Sequence, residues 1–169
     1  NREIAVSFII YTDPALLGFY FIGGLILLEK DEKTLDCLIS TPIRIKEYLL
    51  SKQVSLTILA ILSSSVIVLF FYGVNFSYLL LLSGIILTSC FFVLIGFIAV
   101  AKFNTINQYM LTAIGYMIFF NLPLLDFFNF VNSKLFYLFP TQASLLLIRS
   151  FFVSIDIWKI IYSIIYLAV

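Results

Sequence analysis

Histidine is absent from this 169-residue chain. That removes histidine metal sites and imidazole-based catalysis. Charge is scarce: 11% of residues are Asp, Glu, Lys or Arg, where a soluble domain carries about 25%. Two cysteines, Cys37 and Cys90, make no disulfide framework. One stands among charges and the other in an apolar run, so no pairing is expected. No G-x-x-x-x-G-K-[ST] loop occurs, so ATP is not cradled by that device. The net charge is +1 with no basic stripe, which gives no footprint for a nucleic-acid partner. No carboxylate pair sits at helical spacing inside an apolar run. Asp13, Asp126, Asp156 and Lys159 read as caps or interface anchors at the ends of such runs. Intramembrane charges usually mark ion or proton relays, and by this reading that mark is missing.

What the chain has is apolar length. It is 63% hydrophobic with a mean hydropathy of +1.14. A water-soluble fold of this size does not bury that much apolar surface. The expected class is all-α, a single polytopic transmembrane helix bundle in the lipid bilayer. Spans are expected at about 13–29, 53–72, 77–101, 109–125 and 157–169. Asp13-Pro14 reads as the start of the first, with Asp as cap and Pro at the first helical position. The run Ala15–Leu28 covers only about 21 Å at 1.5 Å per residue, so it needs extension by the residues before Asp13, by snorkelling of Lys30 or by local thinning. Gly18, Gly23 and Gly24 give it a small-residue face. Gly84 and Thr88 suggest a packing notch in the third span. Asn121 and Pro123 should stop or kink the fourth. Residues 126–156 are aromatic but broken by Asp126, Pro140, Gln142 and Arg149. We expect short helices there that dip into one leaflet, sealed against protein. The chain lacks an initial Met and stops in an apolar run, so a piece of a longer protein is expected.

Between the first two apolar runs lies one charged island, Glu29 to Lys52. It holds Lys30, Lys33, Arg44, Lys46 and Lys52, and Glu29, Asp31, Glu32, Asp36 and Glu47, more than half of the chain's ionisable side chains. A charge at mid-bilayer costs about 2.5–3.5 kcal/mol on the insertion scale, so the island belongs in water. Leu35, Leu38 and Ile39 form one apolar stripe; Ile45, Tyr48 and Leu49 form another. Thr41-Pro42 separates two short helices as cap and first residue. Glu29 and Lys33 stand four apart, a supporting pair on a helix. Six Lys and Arg in the island and the Lys102 loop, against three on the other side, orient both inward.

The run Glu29-Lys-Asp-Glu-Lys-Thr-Leu-Asp-Cys-Leu-Ile-Ser-Thr-Pro-Ile, followed by Glu47-Tyr-Leu-Leu-Ser-Lys52, resembles the cytoplasmic segment of type-2 ABC transporter permeases. Thr34, Leu35, Asp36, Thr41, Pro42 and Lys52 match the family pattern as they stand. Lys33 occupies the usual glycine position, a departure expected to stiffen the helix start. Pro123 and the stretch Leu138-Phe-Pro-Thr-Gln-Ala-Ser-Leu-Leu-Leu-Ile-Arg149 resemble the family's outer re-entrant region. Within the family the chain is most similar to the fluoroquinolone export permeases.

The resemblance implies that 30–52 is a cytoplasmic coupling segment and 126–156 an outer re-entrant segment. It also implies a span before this sequence and a last span that continues. It implies a permease rather than an enzyme, with no cofactor of its own; ATP and Mg would sit on a separate ATP-binding subunit. A second permease copy or paralogue would complete a dimer in the cell membrane. In that frame Leu35, Leu38 and Ile39 supply apolar contact to the ATPase. Glu29, Glu32 and Lys33 supply charge registry, with Thr34 and the Thr41-Pro42 turn in the same element. The plainer reading of the stripe is an interfacial helix packed on its own spans. Tyr109, Tyr116 and Phe120 are the candidates for a cargo path, against the ordinary role of aromatics facing lipid or the interface. Two other function classes stay open. An ion-coupled carrier or channel would need a charge within a span. A non-transport scaffold would use the island only for docking.

Overall fold

The computed structural model describes residues 2–34, 44–72, 78–128, 134–152 and 156–168. Among them every regular element is helical. Helix α1 (Arg2–Leu16) runs through a π-helical turn (Leu17–Phe21) into α2 (Ile22–Asp31). Then come α3 (Ile45–Tyr72), α4 (Tyr78–Val100), α5 (Ile106–Phe120) and the short α6 (Leu124–Phe127). A 3-10 turn (Lys134–Leu138) leads into α7 (Pro140–Phe152), and α8 (Ile157–Ala168) follows. Among the described residues three stretches are long and apolar enough to cross a membrane: Ile4–Asp31, Ile45–Phe71 and Leu81–Val100. The protein is an all-α membrane bundle.

Helices are the solution because lipid leaves no water to satisfy open backbone groups. The one face of α3 that carries Val54, Ile58, Leu62, Val66 and Phe70 is exposed along its length. In lipid that face lies in its preferred solvent. Helix α4 is the hub, packed against α1, the π turn, α2, α3, α7 and α8. Its own side chains Leu81, Ile85, Phe92 and Val93 are fully buried. The hydroxyls of Thr57 and Ser89 meet at 3.0 Å and join α3 to α4. The notch expected at Gly84 and Thr88 is real: Thr88 bonds back to the Gly84 carbonyl at 2.7 Å, and a Cβ on Gly84 would lie 2.9 Å from Leu147 of α7.

The first helix corrects the sequence reading. Asp13 and Pro14 do not start a helix; Pro14 lies inside α1. Its ring offers no N–H to the carbonyl four residues back. The helix survives because α3, α4 and α7 pack around α1, and the π turn three residues on takes up the mismatch. The stretch Ile4–Asp31 has 28 residues, about 42 Å of helix. The extension that the short Ala15–Leu28 run requires therefore comes from the residues before Asp13.

Asp13 is thereby moved from a helix end into the interior of a span-length helix. Its Oδ2 is buried, with no hydrogen-bond partner among the described residues.

At the other end of the bundle α5 stops at Asn121. The Asn121 amide returns to the Met117 carbonyl at 2.8 Å, and Tyr11 of α1 donates to Asn121 Oδ1 at 2.8 Å. The Thr141 hydroxyl bonds the Phe120 carbonyl at 2.5 Å, Gln142 donates to Asp126 at 2.8 Å, and Arg149 lies over the Phe127 ring. These contacts hold α7 against the ends of α5 and α6. Residues 141–145 of α7 are buried.

A Cβ on Gly23 would fall 2.1 Å from the Tyr109 ring. Gly23→Ala is therefore expected to destabilise by about 1–3 kcal/mol, the usual cost of overpacking. Thermal unfolding in detergent should show a lower midpoint than the parent, and Gly115→Ala, where a Cβ meets nothing within 4 Å, should not lower it.

Candidate functional site

The charged island is anchored at both of its ends. Helix α2 closes with Glu32 N–H on the Leu28 carbonyl at 2.9 Å and Lys33 N–H on the Lys30 carbonyl at 3.1 Å. Lys33 has φ 56°, in the left-handed region. That conformation is the ordinary terminator of a helix and favours glycine. A glycine would hold this conformation without the strain that Lys33 carries. Glu32, Lys33 and Thr34 are exposed. Leu35, Leu38, Ile39, Thr41 and Pro42 lie outside the described residues.

Ahead of α3, the backbone N–H of Arg44 donates to Glu47 Oε2 at 3.3 Å. This is the half of a capping box that reaches back from the third helical residue.

Glu29 does not pair with Lys33, four residues on. Its Oε1 accepts from Lys52 Nζ and its Oε2 from the Tyr48 hydroxyl. Lys52 also lies 5.5 Å from the centre of the Tyr48 ring. The turn at Lys33 ends the helix, so the i,i+4 geometry lapses there, while Tyr48 and Lys52 lie one turn apart on a single face of α3. Lys30 Nζ reaches Asn104 Oδ1 at 2.7 Å, which sets the island and the Lys102 loop at the same end of the bundle.

A second feature runs along the first helix. A cleft of about 280 Å³ opens between α1 and α5, with Phe8, Tyr11, Ala15, Tyr20, Met117 and Asn121 among its walls. Another, of about 250 Å³, is walled by Tyr20, Phe21, Gly24, Leu28 and Met110. Tyr20 is common to both, so the two follow one line between the first helix and α5. Their walls are apolar apart from Tyr11, Thr12, Tyr20 and Asn121.

On the other side of α5, a cleft of about 150 Å³ is lined by Phe19, Ile98, Lys102, Tyr116 and Phe120.

The three aromatic candidates separate. Tyr116 and Phe120 border the smaller cleft. Tyr109 is 1% exposed, and its hydroxyl donates to the Phe19 carbonyl at 2.6 Å. Its ring fills the space beside Gly23, so in this conformation it is a packing residue with no open face. The residues that wall the larger clefts were missed from sequence. Tyr11 and Asn121 are 110 positions apart, and nothing local links them. Their one signal is that each is a polar group in an apolar run.

Among the described residues no group of His, Cys, Asp and Glu is placed to hold a metal. The arrangement offers apolar clefts between helices and a charged segment at one end, features that a membrane transport subunit can use. The family model for the Fluoroquinolones export permease proteins matches residues 1–169. Two Fluoroquinolones export permease proteins of Mycobacterium tuberculosis, from strains CDC 1551 / Oshkosh and ATCC 25618 / H37Rv, are each 31% identical to this chain over 168 residues, covering 98% of it and 71% of the relative. The chain belongs to the fluoroquinolone export permease family. No solved structure matches it.

Lys33→Gly should raise stability by about 1 kcal/mol, because the left-handed penalty on a residue with a Cβ is relieved. An increase in the unfolding midpoint checks this; a decrease would mean that the Lys33 side chain has a stabilising partner.

Proposed function

We propose that this chain is the membrane-spanning subunit of an ATP-driven exporter in the cell membrane. The charged island faces the cytosol and docks on a separate ATP-binding subunit, which carries ATP and Mg. A second permease copy or paralogue completes the transporter. The cargo is a drug-like, largely apolar aromatic molecule, with a fluoroquinolone as the first to try. It passes beside the first helix and α5, where the clefts are apolar with a few hydroxyl and amide groups, the usual make-up of a small-molecule site. Tyr116 and Phe120 border the path on the other face of α5.

The observation that carries the reading is the fixing of the island to two spans at once, through Glu29 with Lys52 and Tyr48. A docking segment tied to the bundle can bias its conformation, and a loosely tethered one cannot. Leu35, Leu38 and Ile39 supply the apolar contact to the ATPase. Glu32 and Lys33 supply the charge, and Thr34, Thr41 and Pro42 shape the segment.

A second reading rests on Asp13. A carboxylate inside a span-length helix, with an oxygen lacking a partner among the described residues, is the feature that an ion-coupled carrier needs. Vesicles holding the full-length chain and its ATPase separate the two. The exporter reading expects fluoroquinolone flux with ATP and none from an ion gradient alone, and flux that survives Asp13→Asn. Gradient-driven flux without nucleotide, abolished by Asp13→Asn, would overturn it.

Two substitutions test the parts. Ile114→Trp, at a half-exposed wall of the larger cleft, should cut flux severalfold while leaving ATPase binding intact. Glu32→Lys should weaken co-purification with the ATPase, and Lys159→Ala should not; equal binding by both variants would remove the island from the interface.

A further inference from the structure

We infer that Glu29 is a positioning residue: it staples the two ends of the charged island together, so that the island moves as one body with α2 and α3. This rests on the reading of the island as the docking segment, and it changes the part assigned to Glu29. From the sequence Glu29 was one of the charges offered to the partner. In the structure both of its oxygens are spent within the chain, on Lys52 and Tyr48.

The placement fits a staple. Glu29 lies in the last turns of α2, and Tyr48 and Lys52 lie in the first turns of α3. Along the chain, the contact joins positions 19 and 23 residues apart. The side chains of Lys52 and Glu29 are 22% and 19% exposed, whereas Glu32, Lys33, Arg44, Lys46 and Glu47 are all exposed. Charges withdrawn from water need a partner to be tolerated; the exposed ones are free to meet another protein. The described charges of the island therefore divide into an inner pair that holds it and an outer set that is exposed. Lys30 adds a second tie, to Asn104 in the loop before α5. With both ties made, a push on the outer set reaches α2, α3 and α5 without being lost in the turn at Lys33.

The test uses the full-length chain in membranes, with Glu29→Gln, Lys52→Met and the exchange Glu29→Lys with Lys52→Glu. Trypsin cleavage at Lys33, Arg44 and Lys46 reads the staple without any assumption about transport. Glu29→Gln and Lys52→Met should each speed cleavage about tenfold, as expected for losing a partly buried pair, and the exchange should bring it back toward the parent rate. Unchanged cleavage in Glu29→Gln, or no recovery in the exchange, overturns the staple.

With the ATPase present, Glu29→Gln should keep partner binding and ATP hydrolysis and lose cargo moved per ATP, and the exchange should restore that ratio. A purely structural role would lower hydrolysis and flux together, and that result overturns the positioning role. Absence of ATP-driven flux in the parent, with the trypsin pattern as expected, would overturn the exporter reading and the coupling role while leaving the staple in place.

Discussion

The bundle depends on how closely the first helix approaches α4. A Cβ added to Gly18 would stand 2.8 Å from the Phe92 Cβ and 3.1 Å from the Val93 nitrogen. A Cβ added to Gly96 would stand 2.4 Å from Ile22 and 3.0 Å from the Gly18 carbonyl oxygen. Each helix thus uses a glycine where the other brings backbone or a branched side chain. In lipid no hydrophobic force drives helices together, so association rests on such close packing and on a few interhelical hydrogen bonds. The contact between Thr57 and Ser89 does the same for α3 and α4, over a shorter reach. Once the first helix and α4 are set, α3 has one apolar face left for lipid, and α7 fills the corner beside Gly84.

The π turn is part of the same constraint. It occupies the five residues that begin just after α1 and include Gly18. A π turn shifts the faces of a helix relative to one another. Here it lets α1 and α2 each present their own buried face to α4 although Pro14 interrupts the regular ladder. Phe19, on this turn, is 1% exposed, and its carbonyl accepts from Tyr109 of α5. The irregular stretch is thereby tied to α5 as well as α4.

Composition alone makes the helical membrane class legible, because a bilayer sorts charge from apolar length so strongly. The packing notches at Gly84 and in the glycine-rich first span are legible too, since small residues at helical spacing have few other uses there. Asp13-Pro14 misled for a physical reason. Cap and first-turn preferences are local and worth about 1 kcal/mol, and contact with three neighbouring elements outweighs them. The pairing of Glu29 was hidden by the same asymmetry. Lys33 is the nearer partner along the chain, but the left-handed turn that removes it from reach is a backbone event no charge pattern reveals. The larger clefts were illegible because their facing walls come from residues 82 to 116 positions apart, from Leu28 and Met110 to Phe8 and Leu124.

One element carries both candidate features. The helix that carries Glu29 in its last turn is also the wall of the two larger clefts, from Phe8 at one end to Leu28 at the other. Leu28 precedes Glu29 directly, so the cleft beside Leu28 and the clasp to α3 are within a single helical turn. A displacement of the island is therefore a displacement of the cleft wall, with no intervening joint on that side. The joint lies farther along, at Pro14 and the π turn, between the Leu28 end and the Phe8 end of the groove. A helix held rigidly at its charged end and irregular at its middle moves most freely at that irregularity, since Pro14 lacks one backbone hydrogen bond and the π turn has a looser register. Tyr20, the residue shared by both clefts, sits on this turn. Motion driven from the island would thus carry the Leu28 end of the groove with it and be taken up at the junction between the two clefts.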